Sequence, residues 1–151
     1  MTRASGWGTT PRASIEAECA RRGREQVVQG CRALLAGGDT DGPFVAALAG
    51  PTAPRFLDPD RDDRYWLRVW GARGLLWAWD DAAGPDICAA LGDDSWRVRE
   101  MALRVVARHR VDGCLEAVVP VHKDGVPRVR AAAARALAAL TAGDRRGTPA
   151  G

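Results

Sequence analysis

Residues 93–110 read DDSWRVREMALRVVARHR, and this stretch decides the fold class. Its apolar residues recur at intervals of three and four: Val98, Met101, Ala102, Val105 and Val106. Such spacing places apolar side chains on one face of an α-helix and charged side chains on the opposite face. The stretch is therefore predicted to be an amphipathic helix, with Ser95 as its N-cap.

The same pattern returns at a fixed distance on both sides. Val98-Arg99 lies 31 residues after Leu67-Arg68 and 31 residues before Val129-Arg130. Four further columns keep this offset: Asp62, Asp93 and Asp124; Gly71, Ala102 and Ala133; Arg73, Arg104 and Arg135; Leu75, Val106 and Leu137. Self-similarity at such a period is the signature of a repeat protein.

Each repeat reads as a longer helix, a tight turn and a shorter helix, and strand signals are absent from the sequence. We predict a repeat domain over 14–142, flanked by disordered tails at 1–13 and 143–151. Within it we assign an irregular unit (14–50), a proline-rich connector (51–62), regular units (63–93 and 94–124) and a half unit (125–142). Pro43, Pro85 and Pro127 mark first helical turns, and Gly113 and Gly143 mark helix ends.

An aspartate, five residues, an arginine behind an apolar residue, and then small residues with a Leu or Val resemble the HEAT repeat. The pattern is most similar to the short bacterial kind, also found in phycobilisome-lyase-type repeat proteins. The resemblance implies an all-α fold, a short right-handed α-solenoid of about three and a half helical hairpins. It also implies a structural ladder that links neighbouring repeats through charge-assisted hydrogen bonds: Asp62 with Arg68, Asp93 with Arg99, and Asp124 with Arg130.

A second arginine column, formed by Arg32, Arg73, Arg104 and Arg135, lies about 140° further round an ideal helix. We expect it to point away from the shorter helices, together with Arg97, Arg108 and Arg128. Trp66 and Trp77 align with Arg97 and Arg108 and should lie on this Arg/Trp face. The face is interpreted either as a binding surface or as a solvated helix face whose tryptophans are covered by the connector or the first unit.

Enzyme chemistry finds little support in the sequence. His109 and His122 are the only histidines, and no catalytic triad, phosphate-binding loop or metal-ligand spacing occurs. We therefore expect no catalytic residues, no metal and no cofactor. Cys19, Cys31, Cys88 and Cys114 are scattered and are interpreted as reduced thiols in helices.

The main hypothesis is a non-catalytic HEAT-like adaptor, or scaffold, that binds a protein partner through the Arg/Trp face. The alternative is nucleic-acid binding by the same basic stripe, remotely in the manner of HEAT-like DNA glycosylases. No membrane segment or signal-peptide pattern is found, so a cytoplasmic location is expected. The protein should be a monomer or a weak homodimer that pairs through the alanine-rich last helix.

Overall fold

The computed structural model describes residues 7–147, with side chains up to residue 142. These residues form eight α-helices and three short 3₁₀ helices, and no strand occurs among them. The predicted all-α fold class is therefore confirmed. The chain divides into an N-terminal body, Met1–Asp80, and a C-terminal body, Asp81–Gly151.

The N-terminal body contains four α-helices: α1 (Pro11–Arg22), α2 (Arg24–Leu35), α3 (Gly42–Ala49) and α4 (Tyr65–Gly74). The C-terminal body contains the other four: α5 (Gly84–Ala90), α6 (Trp96–His109), α7 (Leu115–Val121) and α8 (Pro127–Gly147). The 3₁₀ helices cover Ala53–Leu57, Asp81–Ala83 and Asp112–Cys114.

The helical domain begins earlier than the sequence predicted, with helix α1. The hydroxyl of Thr10 accepts a hydrogen bond from the backbone N–H of Ala13 at 3.1 Å, and Pro11 occupies the first helical position. A capping side chain and a pre-set proline φ together favour a helix start. The structure thus moves the start of the helical domain from residue 14 to Pro11; residues 1–6 of the predicted tail lie outside the described part.

The core of the N-terminal body depends on close approach of α2 and α4. Gly71 of α4 lies so near α2 that an added Cβ would come within 2.8 Å of the carbonyl oxygen of Cys31. One turn further along α4, Gly74 approaches Cys31, Leu48 of α3 and Ile15 of α1, all of which are fully buried. The glycine in the repeat column therefore serves helix packing in this body.

The proline-rich connector is partly structured. Its 3₁₀ helix, Ala53–Leu57, places the ring of Phe56 edge-on against the ring of Trp70, with centroids 5.0 Å apart. Edge-to-face packing of this kind stabilises aromatic pairs beyond their simple burial. The connector therefore packs against α4.

The C-terminal body shows the predicted alternation of longer and shorter helices. Helix α6 has 14 residues and α7 has 7, and α6 packs extensively against α8. Ser95 occupies the N-cap position of α6, although its side chain makes no capping hydrogen bond. Helix α8 continues past Gly143 to Gly147, so it enters the predicted tail 143–151; residues 148–151 lie outside the described part.

The expectation of four reduced thiols is wrong for two cysteines. Cys88 of α5 and Cys114 of the 3₁₀ helix that follows α6 form a disulfide, with Cα atoms 5.1 Å apart. Cys19 and Cys31 are free thiols, and Cys31 is fully buried. Burial raises the pKa of the Cys31 thiol, since a thiolate loses its hydration there.

Within the described residues, every helix is too short or too polar to cross a membrane.

Candidate interaction surface

Helix α6 displays three arginines on its solvent side. Because Val98, Ala102 and Val106 are fully buried, the opposite face of α6 is turned outward. Arg97, Arg104 and Arg108 fall within about 40° of one another on an ideal helix, on this outward face. Arg104 and Arg108 are exposed and Arg97 is half-buried.

Trp96, the first residue of α6, contacts two guanidinium groups through its ring. The Cζ atom of Arg97 is 4.5 Å from the ring centroid of Trp96, and that of Arg128 is 5.4 Å away. Cations at such distances are attracted to the negative face of the indole ring. The contact restricts both arginine side chains while the indole itself stays half-buried.

Arg128 also joins α8 to α6 through a salt bridge. Its Nε lies 3.1 Å from Oε2 of Glu100, whose side chain is 17% exposed, whereas the Arg128 side chain is 70% exposed. The guanidinium therefore bonds one carboxylate and still presents much of its surface to solvent. This pair contributes little free energy, because so exposed a cation is well hydrated.

Arg135 extends the basic surface along α8. It lies two turns after Arg128 and within about 20° of it on an ideal helix. Arg135 is exposed, and so are Ala131 and Ala138 beside it. We call these five arginines the arginine surface: Arg97, Arg104, Arg108, Arg128 and Arg135.

In the N-terminal body, Arg73 of the predicted Arg/Trp face is bonded to a neighbouring helix. Nη2 of Arg73 donates a hydrogen bond to the carbonyl oxygen of Leu48 at 2.9 Å, in the last turn of α3. Carbonyls in the last turn of a helix lack intrahelical partners, and arginine side chains can bond them. The expectation that Arg73 points away from the shorter helices is therefore wrong.

Trp66 and Trp70 of this body pack against neighbouring aromatic rings. Trp66 stacks on Trp70 at a centroid distance of 6.2 Å, and Phe56 of the connector covers Trp70. Trp77 was expected on the helix, but α4 ends at Gly74, so Trp77 lies in the turn that follows, where it is half-buried. Arg32 is half-buried in the last turn of α2.

The aspartate and arginine columns meet at the start of α8. The Arg99 guanidinium contacts both carboxylate oxygens of Asp124, and its Nη1 donates to the carbonyl of Asp93 at 2.8 Å. Nη1 of Arg130 donates to the carbonyl of Asp124, also at 2.8 Å. The carboxylate of Asp124 thus pairs with Arg99 of the preceding repeat. Arg130, the partner that the sequence predicted for this carboxylate, bonds the backbone carbonyl of Asp124 instead.

The first member of these columns is arranged differently. Asp62 is exposed, and the neighbouring carboxylate of Asp63 pairs with Arg61, Nε to Oδ1 at 2.8 Å. Arg68 is half-buried at the edge of a shallow depression between α2 and α4, where Arg64 bonds Asp39 at 2.6 Å.

The repeat pattern predicted Arg97 and Arg128 on the surface but indicated no role for Trp96 or Glu100. The repeat offset contained a usable signal, since Arg97 and Arg128 occupy equivalent positions in successive repeats. Equivalent positions of stacked repeats are neighbours, so a large side chain next to one arginine can also contact the other.

No cluster of three or more His, Cys, Asp or Glu side chains that could hold a metal ion occurs in the described part of the chain.

Comparison with known proteins supports the repeat assignment for the second half of the chain. The family model for HEAT repeats matches residues 84–150, a segment that begins with α5 and contains the whole arginine surface. The match does not distinguish the short bacterial or phycobilisome-lyase-type kinds, which remain predictions. Neither the search of curated proteins nor that of solved structures returned a significant match.

Proposed function

We propose that this protein is a non-catalytic adaptor that binds a protein partner through the arginine surface of its longer helices. The observation that carries the proposal is the group formed by Trp96, Arg97 and Arg128, in which two guanidinium groups contact the ring of one tryptophan. HEAT repeats generally act as protein-interaction scaffolds, and the segment similar to them contains this group.

The residue types support a protein partner. Tryptophan and arginine dominate the energetically important positions of protein–protein interfaces, because they combine a large apolar area with directional hydrogen bonding. The ring contact limits the conformations of Arg97 and Arg128 before any partner arrives. Less conformational entropy is then lost on binding, which favours affinity.

Nucleic-acid binding is the alternative, and the five arginines on one surface favour it. Phosphate contacts would release counterions, so affinity would fall steeply as salt rises. Because these contacts would be made to phosphates, the surface would discriminate little between base sequences. Weak salt dependence would therefore exclude this alternative.

Photo-cross-linking tests the adaptor proposal. A photoreactive phenylalanine analogue at Ala131, beside the arginine surface, should form adducts with protein in an extract of the native host. The same analogue at the exposed Ala17 of α1 is the positional control. The double variant Arg104→Glu/Arg135→Glu should lose the adduct, whereas Lys123→Glu, which reverses a charge on an exposed turn after α7, should retain it.

An adduct that persists in Arg104→Glu/Arg135→Glu would contradict the proposal. The cytoplasmic location and the monomeric or weakly dimeric state remain predictions. The Cys88–Cys114 disulfide bears on the predicted cytoplasmic location, because disulfides persist mainly in oxidising compartments and are rare in the cytoplasm.

A further inference from the structure

We infer that the ligand of the arginine surface is an acidic amphipathic helix of the partner, laid along α6 and α8. The inference rests on the proposed function and narrows it to one body and one ligand chemistry. The binding determinants would lie in the C-terminal body, because all five arginines of the arginine surface belong to it.

Charge is the first argument. Helix α6 carries a single acidic residue, Glu100, and that carboxylate is paired with Arg128. Arg104 and Arg135 are exposed on the same surface, and the described parts of α6 and α8 place no acidic residue beside them on these helix faces. The surface therefore has an excess of positive charge that a negatively charged ligand would complement.

Spacing is the second argument. Arg97 and Arg104 are separated by about 10 Å along the axis of α6, and Arg104 and Arg108 by about 6 Å. Glutamates at intervals of four and seven residues on a partner helix have the same axial separations. Guanidinium groups can bind carboxylates with two hydrogen bonds each, so such a register would be specific as well as favourable.

The shape and polarity of the α8 surface are the third argument, and they favour a helical ligand over nucleic acid. Ala131 and Ala138 are exposed beside Arg128 and Arg135, so this side of α8 is low and apolar between the charges. Small side chains let the backbone of a second helix approach closely, and the half-buried ring of Trp96 adds apolar area. A phosphate backbone would leave these apolar groups without a matching surface.

Fluorescence anisotropy with a defined probe tests the inference. The probe is a fluorescein-labelled peptide of about 20 residues, long enough to form a helix, with glutamates at intervals of four and three beside a stripe of leucines. Its controls are the same peptide with every glutamate changed to glutamine, and single-stranded and duplex DNA. We expect the acidic peptide to bind at low salt and the glutamine peptide to bind at least about tenfold more weakly.

The variants identify the surface. Arg104→Glu/Arg135→Glu should weaken binding of the acidic peptide by about tenfold or more, whereas Lys123→Glu should leave it within about twofold of the wild type. Trp96→Ala should also weaken binding, while Trp96→Phe, which retains a ring for the two arginines, should weaken it less. Unchanged helix content by circular dichroism shows that each variant is folded.

Three results would overturn the inference: no binding of the acidic peptide at low salt, equal binding of both peptides, or binding unaffected by Arg104→Glu/Arg135→Glu. DNA bound more tightly than the acidic peptide would replace the inference with phosphate recognition. If cross-linking at Ala131 depends on the same arginines but the peptide does not bind, the adaptor proposal stands and only the acidic-helix ligand is wrong.

Discussion

Arg99 and Asp124 form a bidentate ion pair that links α6, the longer helix of one repeat, to the turn before α8, the longer helix of the next repeat. Nε of Arg99 lies 2.7 Å from Oδ2 of Asp124, and Nη2 lies 3.2 Å from Oδ1. The two side chains are only 19% and 10% exposed. Oδ1 of Asp124 also accepts a hydrogen bond from the backbone N–H of Val126 at 2.9 Å, which holds the turn that leads into α8.

Two substitutions of Asp124 should separate its ion pair from its turn. We expect Asp124→Ala to lower the free energy of unfolding by about 2–3 kcal/mol, because it removes both and leaves Arg99 without its carboxylate partner. Asp124→Asn should lower it less, since the amide oxygen can still accept from Val126. Urea denaturation followed by circular dichroism measures both; equal losses would show that the turn bond contributes nothing.

Acid should weaken this protein partly through the same residue. The hydrogen bond from Arg99 lowers the pKa of Asp124 below its ordinary value, with the Val126 N–H acting in the same direction. A lowered folded-state pKa gives stability that is complete above the ordinary value of about 3.9 and is lost as pH falls through the lower one. Between pH 7 and the acid limit of folding, wild-type protein should therefore lose more unfolding free energy than Asp124→Asn. Parallel losses would contradict this assignment.

Gly71→Ala should disrupt the packing of α2 on α4. The new Cβ would lie 2.8 Å from the carbonyl oxygen of Cys31 and 3.1 Å from Cβ of Leu34, and a helix backbone cannot easily move aside. We expect the free energy of unfolding to fall by about 1–3 kcal/mol, as overpacked cores do.

Gly113→Ala is the matched control for this change. An added Cβ at Gly113 meets nothing within 4 Å and its φ is not positive, so stability should stay the same or rise by up to about 1 kcal/mol. Similar losses in both variants would show that helix approach is not the cause.

Arg110→Gly should stabilise the end of α6. Arg110 caps this helix in the left-handed conformation, at φ 49°, where a Cβ is unfavourable and glycine is common. We expect a gain of about 0.5–1 kcal/mol in unfolding free energy, measured by urea denaturation. Arg110→Ala removes the same charge but keeps a Cβ, so it should show no such gain.

Thiol titration distinguishes the four cysteines. In denaturant without reductant, two thiols should react with a disulfide reagent, and all four should react after reduction, because Cys88 and Cys114 are bonded. In the native protein Cys31 should be protected, since it is buried and its pKa is raised. Four reactive thiols in unreduced, denatured protein would contradict the disulfide.

The sequence predicted the helical class and the outward side of α6 because apolar periodicity encodes which face of a helix is buried. It could not predict where a long side chain ends. Arg73 and Arg104 occupy the same repeat column, yet Arg73 reaches the carbonyl of Leu48 whereas Arg104 is exposed. Such a difference depends on which helix end lies within reach, and this is a property of the packed structure.

The disulfide and the extra N-terminal helix escaped prediction for a related reason. Cys88 and Cys114 are 26 residues apart, and cysteine pairing depends on how close the Cα atoms come in the fold. Helix α1 has no counterpart in the repeat pattern, and the polar composition around Pro11 was interpreted as a tail. Its local signal, Thr10 as a cap before proline, was present in the sequence.

The bond between Cys88 and Cys114 also fixes how the chain would respond to tension. It encloses α6 in a covalent ring, so pulling the two ends of the polypeptide cannot draw out the segment between these cysteines. The fully stretched chain would be shorter by about 80–90 Å than the reduced one. In an adaptor that joins moving partners, the helix bearing Arg97, Arg104 and Arg108 would thus remain outside the line of force while the disulfide is intact.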